Sequence, residues 1–244
     1  MSTLVIIPTY NEAANITALV KSIFALGLDI RVLIVDDNSP DGTGNLADKL
    51  ATDNPRILVL HRPKKEGLGR AYLDGFRYAV DKTGCDFIME MDADFSHDPQ
   101  AIPVFLDKIK TCDVVVGSRF YKGRVSIVNW PLTRLIMSYG ASVYVRLFSR
   151  LRLYDPTSGF KCFRRRCIES ILRNRVISDG YAFQIEVNYM CAKMGFVIEE
   201  VPIVFYDRSK GSSKMRTFRT VLDAMSVVWL LKFKRFKQIL YKTP

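Results

Sequence analysis

The chain has 244 residues, 48% of them hydrophobic and 25% charged, and a formal net charge of +11. That length and mixture suit one well-filled core with room for a small appendage, and exclude a disordered or fibrous chain. Five cysteines without metal-ligand spacing and only two histidines, His61 and His97, disfavour a zinc site or a Ser-His-Asp triad; with no leader before Leu4, they fit a reducing, cytoplasmic setting.

The first apolar run, residues 4–7, reads as a strand ending in Pro8-Thr9-Tyr10-Asn11-Glu12. A second, residues 32–35, ends in Asp36-Asp37, and Asp41-Gly42-Thr43 marks a helix start beyond it. A third strand is expected over residues 57–60, and Glu66-Gly67-Leu68-Gly69 opens the next helix. No G-x-G-x-x-G follows the first strand and no Walker motif occurs, so a classical dinucleotide or P-loop site is disfavoured. The fourth run, residues 87–91, stops at Asp92-Ala93-Asp94. Asp98-Pro99 starts another helix, and His97 is assigned to that turn rather than to catalysis. A fifth strand is expected over residues 114–116. Strands alternating with amphipathic stretches of helical length predict an α/β fold, a mostly parallel sheet flanked by helices.

In such sheets ligands bind beyond the carboxyl ends of the strands, where Asp37 and Asp94 fall. Mg²⁺ or Mn²⁺ binds through one or two carboxylates and completes its shell with water and substrate phosphates, which suits Asp92 and Asp94 as metal ligands. Asp-x-Asp alone is common by chance; three polar or acidic strand ends converging on one sheet edge make it informative. Asp37 is placed to hydrogen-bond a base or ribose edge, whereas Asp36 is expected to satisfy turn amides.

The positive charge is local. Residues 117–175 hold 13 Lys or Arg against two acids, and residues 207–244 hold 10 against two. Such a field recruits an anionic partner, whether nucleic acid, phospholipid or a phosphorylated substrate, or serves as a solubilising face. The nucleic-acid reading would use Arg164-Arg165-Arg166, but no recognition module accompanies it. No charge-free stretch in the basic half approaches the roughly 20 residues needed to span a bilayer. Residues 130–153 mix Tyr139, Tyr144 and Phe148 with Arg134, Arg146, Arg150 and Arg152. Leu222, Met225, Trp229, Phe233, Phe236 and Leu240 form a stripe at helical spacing beside Lys232, Lys234, Arg235 and Lys237. Both read as amphipathic helices at an anionic membrane surface; the plain alternative for the second is a terminal helix packed on the core.

Several spaced motifs together resemble a known family. Val5-Ile6-Ile7-Pro8-Thr9-Tyr10-Asn11-Glu12, Val35-Asp36-Asp37-Asn38-Ser39-Pro40-Asp41-Gly42-Thr43, Met91-Asp92-Ala93-Asp94 and Gly117-Ser118-Arg119-Phe120 resemble the nucleotide-sugar domain of family 2 inverting glycosyltransferases. Gly67-Leu68-Gly69-Arg70-Ala71-Tyr72, Asn129-Trp130-Pro131, the 155–160 motif Asp-Pro-Thr-Ser-Gly-Phe, the 180–186 motif Gly-Tyr-Ala-Phe-Gln-Ile-Glu and the basic Gly/Ser-rich segment 207–214 are similar to those of the polyprenyl-phosphate (dolichol-phosphate) mannose synthases. Arg70 departs from that pattern, as does Ser96, where some relatives supply an amide to the metal.

The resemblance implies a Rossmann-like GT-A fold over residues 1–216, including the interface segment 130–153, followed by an amphipathic basic helix over 217–244. It implies metal-dependent, inverting mannose transfer from GDP-mannose to a polyprenyl phosphate, at the cytosolic face of a membrane. A UDP-glucose or other UDP-sugar transferase is the near alternative, and nucleic acid is not an expected partner. Pro8, Tyr10, Glu12, Val35 and Asp37 would surround the nucleoside, although Pro8 and Val35 also suit plain strand-end packing. Asp92, Ala93 and Asp94 would serve the diphosphate and its metal, with the sugar or ribose the alternative contact for Asp92, and Arg208 and Lys214 would close over the phosphates unless their loop is only a basic linker. Arg119 would bind the acceptor phosphate, joined by Arg134 and Ser138, four residues apart on one helix face; each also suits a surface position. A phosphate acceptor is nearly dianionic at neutral pH and attacks without losing a proton, so no general base is expected.

Overall fold

The computed structural model describes residues 1–206 together with Val228, Trp229 and Leu231. Arg208, Lys214, the boundary at 216/217 and most of the expected C-terminal helix lie outside the described residues.

The chain runs β1 (Thr3–Thr9), α1 (Ile16–Phe24), β2 (Ile30–Asp36), α2 (Thr43–Asp53), β3 (Ile57–His61), α3 (Leu68–Lys82), β4 (Phe87–Glu90), α4 (Ile102–Lys108) and β5 (Val114–Ser118). It continues through β6 (Ile127–Val128), α5 (Leu132–Ser149), β7 (Lys161–Arg164), α6 (Arg165–Leu172), α7 (Gly180–Lys193), β8 (Ile198–Pro202) and β9 (Phe205–Tyr206). Seven strands form one sheet in the order β3-β2-β1-β4-β7-β5-β8. All neighbours are parallel except at β7, which is antiparallel to both β4 and β5.

The period-2 geometry of the strands explains why their sequences are apolar without interruption. On one face Val5, Ile7, Val32 and Ile34 pack with α1 and α4 residues such as Leu19 and Phe105. On the other Leu4, Ile6, Leu33 and Val35 pack with Tyr72 and Phe76 of α3 and with Phe183 of α7. A parallel strand covered on both faces must bury every side chain, and each large one contributes about 1.5–3 kcal/mol. Gly75 of α3 permits the closest of these approaches: a Cβ there would sit 2.7 Å from Ile6.

The five expected strands are all present. β7, β8 and the small β6–β9 pair were not anticipated, because β7 carries Lys161 and Arg164 and β8 carries Glu199 and Glu200. The Arg164-Arg165-Arg166 cluster turns out to be structural. Arg164 donates to the carbonyls of Ile109, Lys110 and Cys112, Arg165 to those of Val80 and Thr83 at the end of α3, and Arg166 pairs with Asp113. Guanidinium groups committed to helix-end carbonyls are poorly placed to grip a nucleic-acid backbone.

α5 occupies most of the expected interface segment. Leu132, Ile136, Tyr139 and Leu147 share one of its faces and are exposed, while Val145 is buried against Ile185 and Tyr189 of α7. Val228 and Leu231 complete that small core. Trp229, a member of the expected apolar stripe, is half-exposed and donates from its indole N–H to Tyr144 at 3.1 Å.

Candidate active site

Beyond the carboxyl ends of β1, β2 and β4 lies a cavity of about 260 Å³. Its lining includes Pro8, Tyr10, Glu12, Asp37, Lys65, Asp92, Ala93, Asp94, His97, Arg119, Gly159 and Gln184. The order of strands reverses at β1, the position where open α/β sheets form a ligand crevice.

At one end the turn after β1 presents Tyr10, whose ring lies 3.9 Å beneath the Lys65 ammonium. Asp36 ties this turn together, accepting from the Thr9 hydroxyl at 2.9 Å, the Ser39 hydroxyl at 2.6 Å and the Ser39 amide at 3.0 Å. Asp37 is buried against the Arg62 guanidinium, which also donates to Asp74 at 2.8 Å and Glu66 at 3.2 Å. Burial raises the Asp37 carboxyl above its ordinary range, and Arg62 opposes that rise. Sequence reasoning missed Arg62; its place directly after β3 was the available signal. Val35, expected at the nucleoside, is instead fully buried among the residues beneath α3 and does not line the cavity.

At the centre, β4 delivers Asp92, Ala93 and Asp94. Asp94 is buried and accepts from the Ser96 amide at 3.0 Å, a turn that holds Phe95 in the left-handed region with φ 61°. The Asp92 amide donates to His97 Nδ1 at 3.1 Å. The neutral imidazole therefore carries its proton on Nε2, which faces the Asp92 carboxylate at 3.9 Å. Tyr72, buried in α3, approaches the same carboxylate at 3.4 Å. Burial lowers the His97 pKa, with Asp92 and Asp94 opposing, and raises the Tyr72 pKa well above its usual value. His97 thus belongs to the site and not merely to a helix-start turn. Tyr72 sat unassigned in the 67–72 motif.

Two oxygen-donor side chains facing a common cavity suit a hard divalent cation that takes the rest of its shell from water and a diphosphate. Among the described residues no cluster of three or more His, Cys, Asp or Glu could enclose a metal by itself. The donor set therefore matches a cation shared with the substrate.

At the far end Arg119, just past β5, is buried and makes a two-pronged pair with Asp155, at 2.6 Å from Nε and 2.8 Å from Nη2. Nη2 also reaches Thr157 at 2.8 Å, and the Arg119 amide donates to Asp155 at 3.1 Å. Burial alone would raise the Asp155 carboxyl, yet Arg119 holds it below its ordinary value. Glu200 of β8 accepts from the amides of Tyr154 and Asp155 and locks the loop. Two guanidinium groups approach the Trp130 ring, Arg134 at 4.0 Å and Arg119 at 5.6 Å. Arg134 and Ser138 both stand on α5, outside the cavity lining, and Ser138 accepts through its carbonyl from Ser142 at 3.1 Å.

Beneath the cavity the β4–β7 register sets Glu90 opposite Lys161, and both are fully buried. Lys161 donates to Glu90 at 3.3 Å and to the Gln184 side-chain oxygen. Burial raises the Glu90 carboxyl and lowers the Lys161 ammonium, each opposed by its partner. Neither residue of this pair was singled out from sequence.

An α/β sheet with one antiparallel strand, a carboxylate pair at the end of β4 and an arginine at the end of β5 match the GT-A fold, and the family model makes the chain a glycosyltransferase. The chain belongs to glycosyl transferase family 2, whose family model matches residues 4–172. It is 42% identical over 215 residues to an undecaprenyl-phosphate mannosyltransferase of Micrococcus luteus, covering 88% of each chain. It is 43% identical over 215 residues to a polyprenol monophosphomannose synthase of Mycolicibacterium smegmatis, covering 87% of this chain and 80% of the relative. Glucosyl-3-phosphoglycerate synthase from Mycobacterium tuberculosis, solved with Mn²⁺, uridine diphosphate and glucosyl-3-phosphoglycerate, superimposes with a TM-score of 0.66 at 18% identity, over 94% of this chain and 78% of that one. At that identity the likeness speaks for the fold.

Proposed function

We propose that this enzyme transfers mannose from GDP-mannose to a polyprenyl phosphate with inversion, giving polyprenyl-phosphate mannose. The observation that carries the reading is a single cavity with the Asp92/Asp94 carboxylates at its centre and Arg119 at its far end. The names of the Micrococcus and Mycolicibacterium relatives supply the mannosyl donor and the polyprenyl acceptor.

Tyr10, Glu12 and Asp37 hold the nucleoside end. Asp94 and Asp92 hold the Mg²⁺ or Mn²⁺, which when bound neutralises charge on the departing diphosphate. His97 and Tyr72 fix the Asp92 carboxylate from behind. Arg119 orients the acceptor phosphate; because Asp155 already balances its charge, it contributes directed N–H groups more than net attraction. Arg134, whose guanidinium lies 4.0 Å from the Trp130 ring, adds positive field nearer solvent. The acceptor oxyanion needs no proton removed, and His97, committed to the Asp92 amide, is not positioned to act as a base on it. Arg208 and Lys214 would cover the diphosphate from the segment after β9.

The exposed apolar face of α5, bordered by Arg146, Arg150 and Arg152, would rest on an anionic membrane surface at its cytosolic side. No helix among the described residues is long and apolar enough to cross a membrane. The deciding experiment is a panel of radiolabelled nucleotide sugars offered with polyprenyl phosphate. Lipid-linked label from GDP-mannose is the expected result; label from a UDP-sugar instead would overturn the donor assignment.

A further inference from the structure

We propose that a basic cup at the C-terminal end of α5 binds the phosphate headgroup of one anionic phospholipid, at a site separate from the active-site cavity. The inference rests on the membrane reading of α5 and deepens it. This second cavity, of about 380 Å³, is lined by Arg146, Leu147, Arg150, Arg152 and Tyr154 together with Leu151 and Leu153, and shares no lining residue with the cavity of Asp92 and Asp94. The chain builds it by alternation. α5 stops at Ser149, Arg150 turns the backbone with φ 60°, and from there Leu151 and Leu153 are buried while Arg150, Arg152 and Tyr154 are exposed. Leu151 joins Val145, Ile185 and Tyr189 in the small core under α5. Arg146, one helical turn before Arg150, completes the group with its guanidinium 5.1 Å from the Tyr154 ring.

Among the described residues, none of these three arginines makes an ion pair or a guanidinium hydrogen bond. The two acids within residues 117–175, Asp155 and Glu169, are already paired with Arg119 and Arg165. The Tyr154 ring supplies no acceptor oxygen. The dipole of α5 favours a cation in its last turn, which accounts for Arg146, but Arg152 lies beyond the helix. Like charges held together repel, and a phosphate relieves that repulsion while accepting in pairs from the guanidinium forks. Leu147 decides between a free phosphate and a lipid. It lines the cup, is 71% exposed and shares its helix face with the exposed Leu132 and Ile136. Tyr144 and Phe148 of the same helix gather with Trp229, an aromatic cluster of the kind that settles at headgroup level. A soluble anion would leave these groups in water, whereas a phospholipid offers the arginines its phosphate and Leu147 an acyl chain.

The test compares the full chain with two triple variants, Arg146→Gln/Arg150→Gln/Arg152→Gln and Arg146→Lys/Arg150→Lys/Arg152→Lys. Attachment is measured to vesicles of phosphatidylcholine with and without phosphatidylglycerol, and calorimetry follows a short-chain, water-soluble phosphatidylglycerol, inorganic phosphate and GDP. Wild type is expected to bind the short-chain lipid at one site, and inorganic phosphate about tenfold or more weakly, since the latter buries no hydrocarbon. Both variants should lose about tenfold or more in affinity for that lipid. Their attachment to phosphatidylglycerol vesicles should fall too, in the lysine variant as well, although its net charge is unchanged. GDP affinity should be unaltered in both, which also shows that they fold. A lysine variant that binds like wild type would reduce the cup to diffuse attraction and overturn the assignment. So would inorganic phosphate binding as tightly as the lipid, or one-for-one displacement of the lipid by a short polyprenyl phosphate, which would give the cup to a soluble anion or to the acceptor. Indifference of wild type to both kinds of vesicle would remove the membrane reading of α5 itself, whereas vesicle binding that survives the lysine changes removes only the cup.

Discussion

Replacing Arg119 by alanine should destabilise the protein before any question of acceptor binding arises. Its guanidinium is the direct counter-charge of Asp155, which is fully buried and held below its ordinary carboxylate range. Removing one partner of a buried pair leaves an uncompensated charge in the interior, a loss of about 3–5 kcal/mol. In a domain of this size that corresponds to a fall in Tm of about 6–20 °C. The pH dependence gives the argument its signature. In the wild type the Asp155 pKa is depressed, so its contribution is present above the unfolded value of 3.8 and is lost as pH falls through the lower folded value. In Arg119→Ala burial is opposed only by the residue-119 amide and the Thr157 hydroxyl, so the folded pKa rises and the penalty shrinks once the carboxyl is protonated. The stability difference between the two proteins should therefore be largest near neutral pH and shrink below about pH 4. Urea unfolding monitored by tryptophan fluorescence at a series of pH values measures it. A second substitution, Asp155→Ala, should recover part of the loss, since removing both charges is less damaging than removing one. A pH-independent difference under about 1 kcal/mol would show that the pair is not a desolvated ion pair and would refute this reasoning.

Asp94→Asn should lower turnover by at least about a hundredfold, the scale of one key electrostatic group, and EDTA should abolish wild-type transfer until Mg²⁺ or Mn²⁺ is restored; full activity in chelator would sink the metal role. Arg134→Ala should weaken the polyprenyl phosphate while calorimetric GDP affinity holds, whereas Arg208→Ala and Lys214→Ala should do the opposite; matching losses of GDP affinity in both sets would dissolve that division. Liposome binding should rise with anionic lipid and fall with salt, since each surface-proximal basic residue contributes about 1 kcal/mol that ions screen. Indifference to both would remove α5 from the membrane.

The sheet was legible wherever burial was purely apolar. β1 through β5 announce themselves because both faces of each strand are covered, so residues 4–7 or 32–35 carry no polar interruption. β7 hid behind its charges: Lys161 is apolar in position but not in type, tolerated because Glu90 faces it across the ladder. β8 hid likewise, with Glu200 turned inward to bind two loop amides. The carboxylates of the site were legible from their strand ends. Their surroundings were not, because Arg62 meets Asp37, Asp155 meets Arg119 and Gln184 enters the cavity from elements distant in the chain, and no local pattern records which side chains a fold will bring together.

The pairing of Arg119 with Asp155 also bears on how such a site treats its acceptor. An unpaired guanidinium buried beside Trp130 and Phe205 would impose a desolvation cost of several kcal/mol on the ligand-free protein. Asp155 removes that cost but also cancels much of the attraction for a phosphate. On the proposed reading the acceptor anion draws its net electrostatic stabilisation from groups nearer solvent, such as Arg134, whose guanidinium lies 4.0 Å from the Trp130 ring. Orientation and attraction would thereby be divided between a buried arginine and a more exposed one. Salt should weaken acceptor affinity through Arg134 while leaving the geometry imposed by Arg119 unaltered, because screening acts on exposed charges far more than on buried ones. For an enzyme whose lipid-linked product keeps the phosphate, attraction that remains partly screened at the rim favours release after transfer, and the buried pair preserves the aim of the next attack.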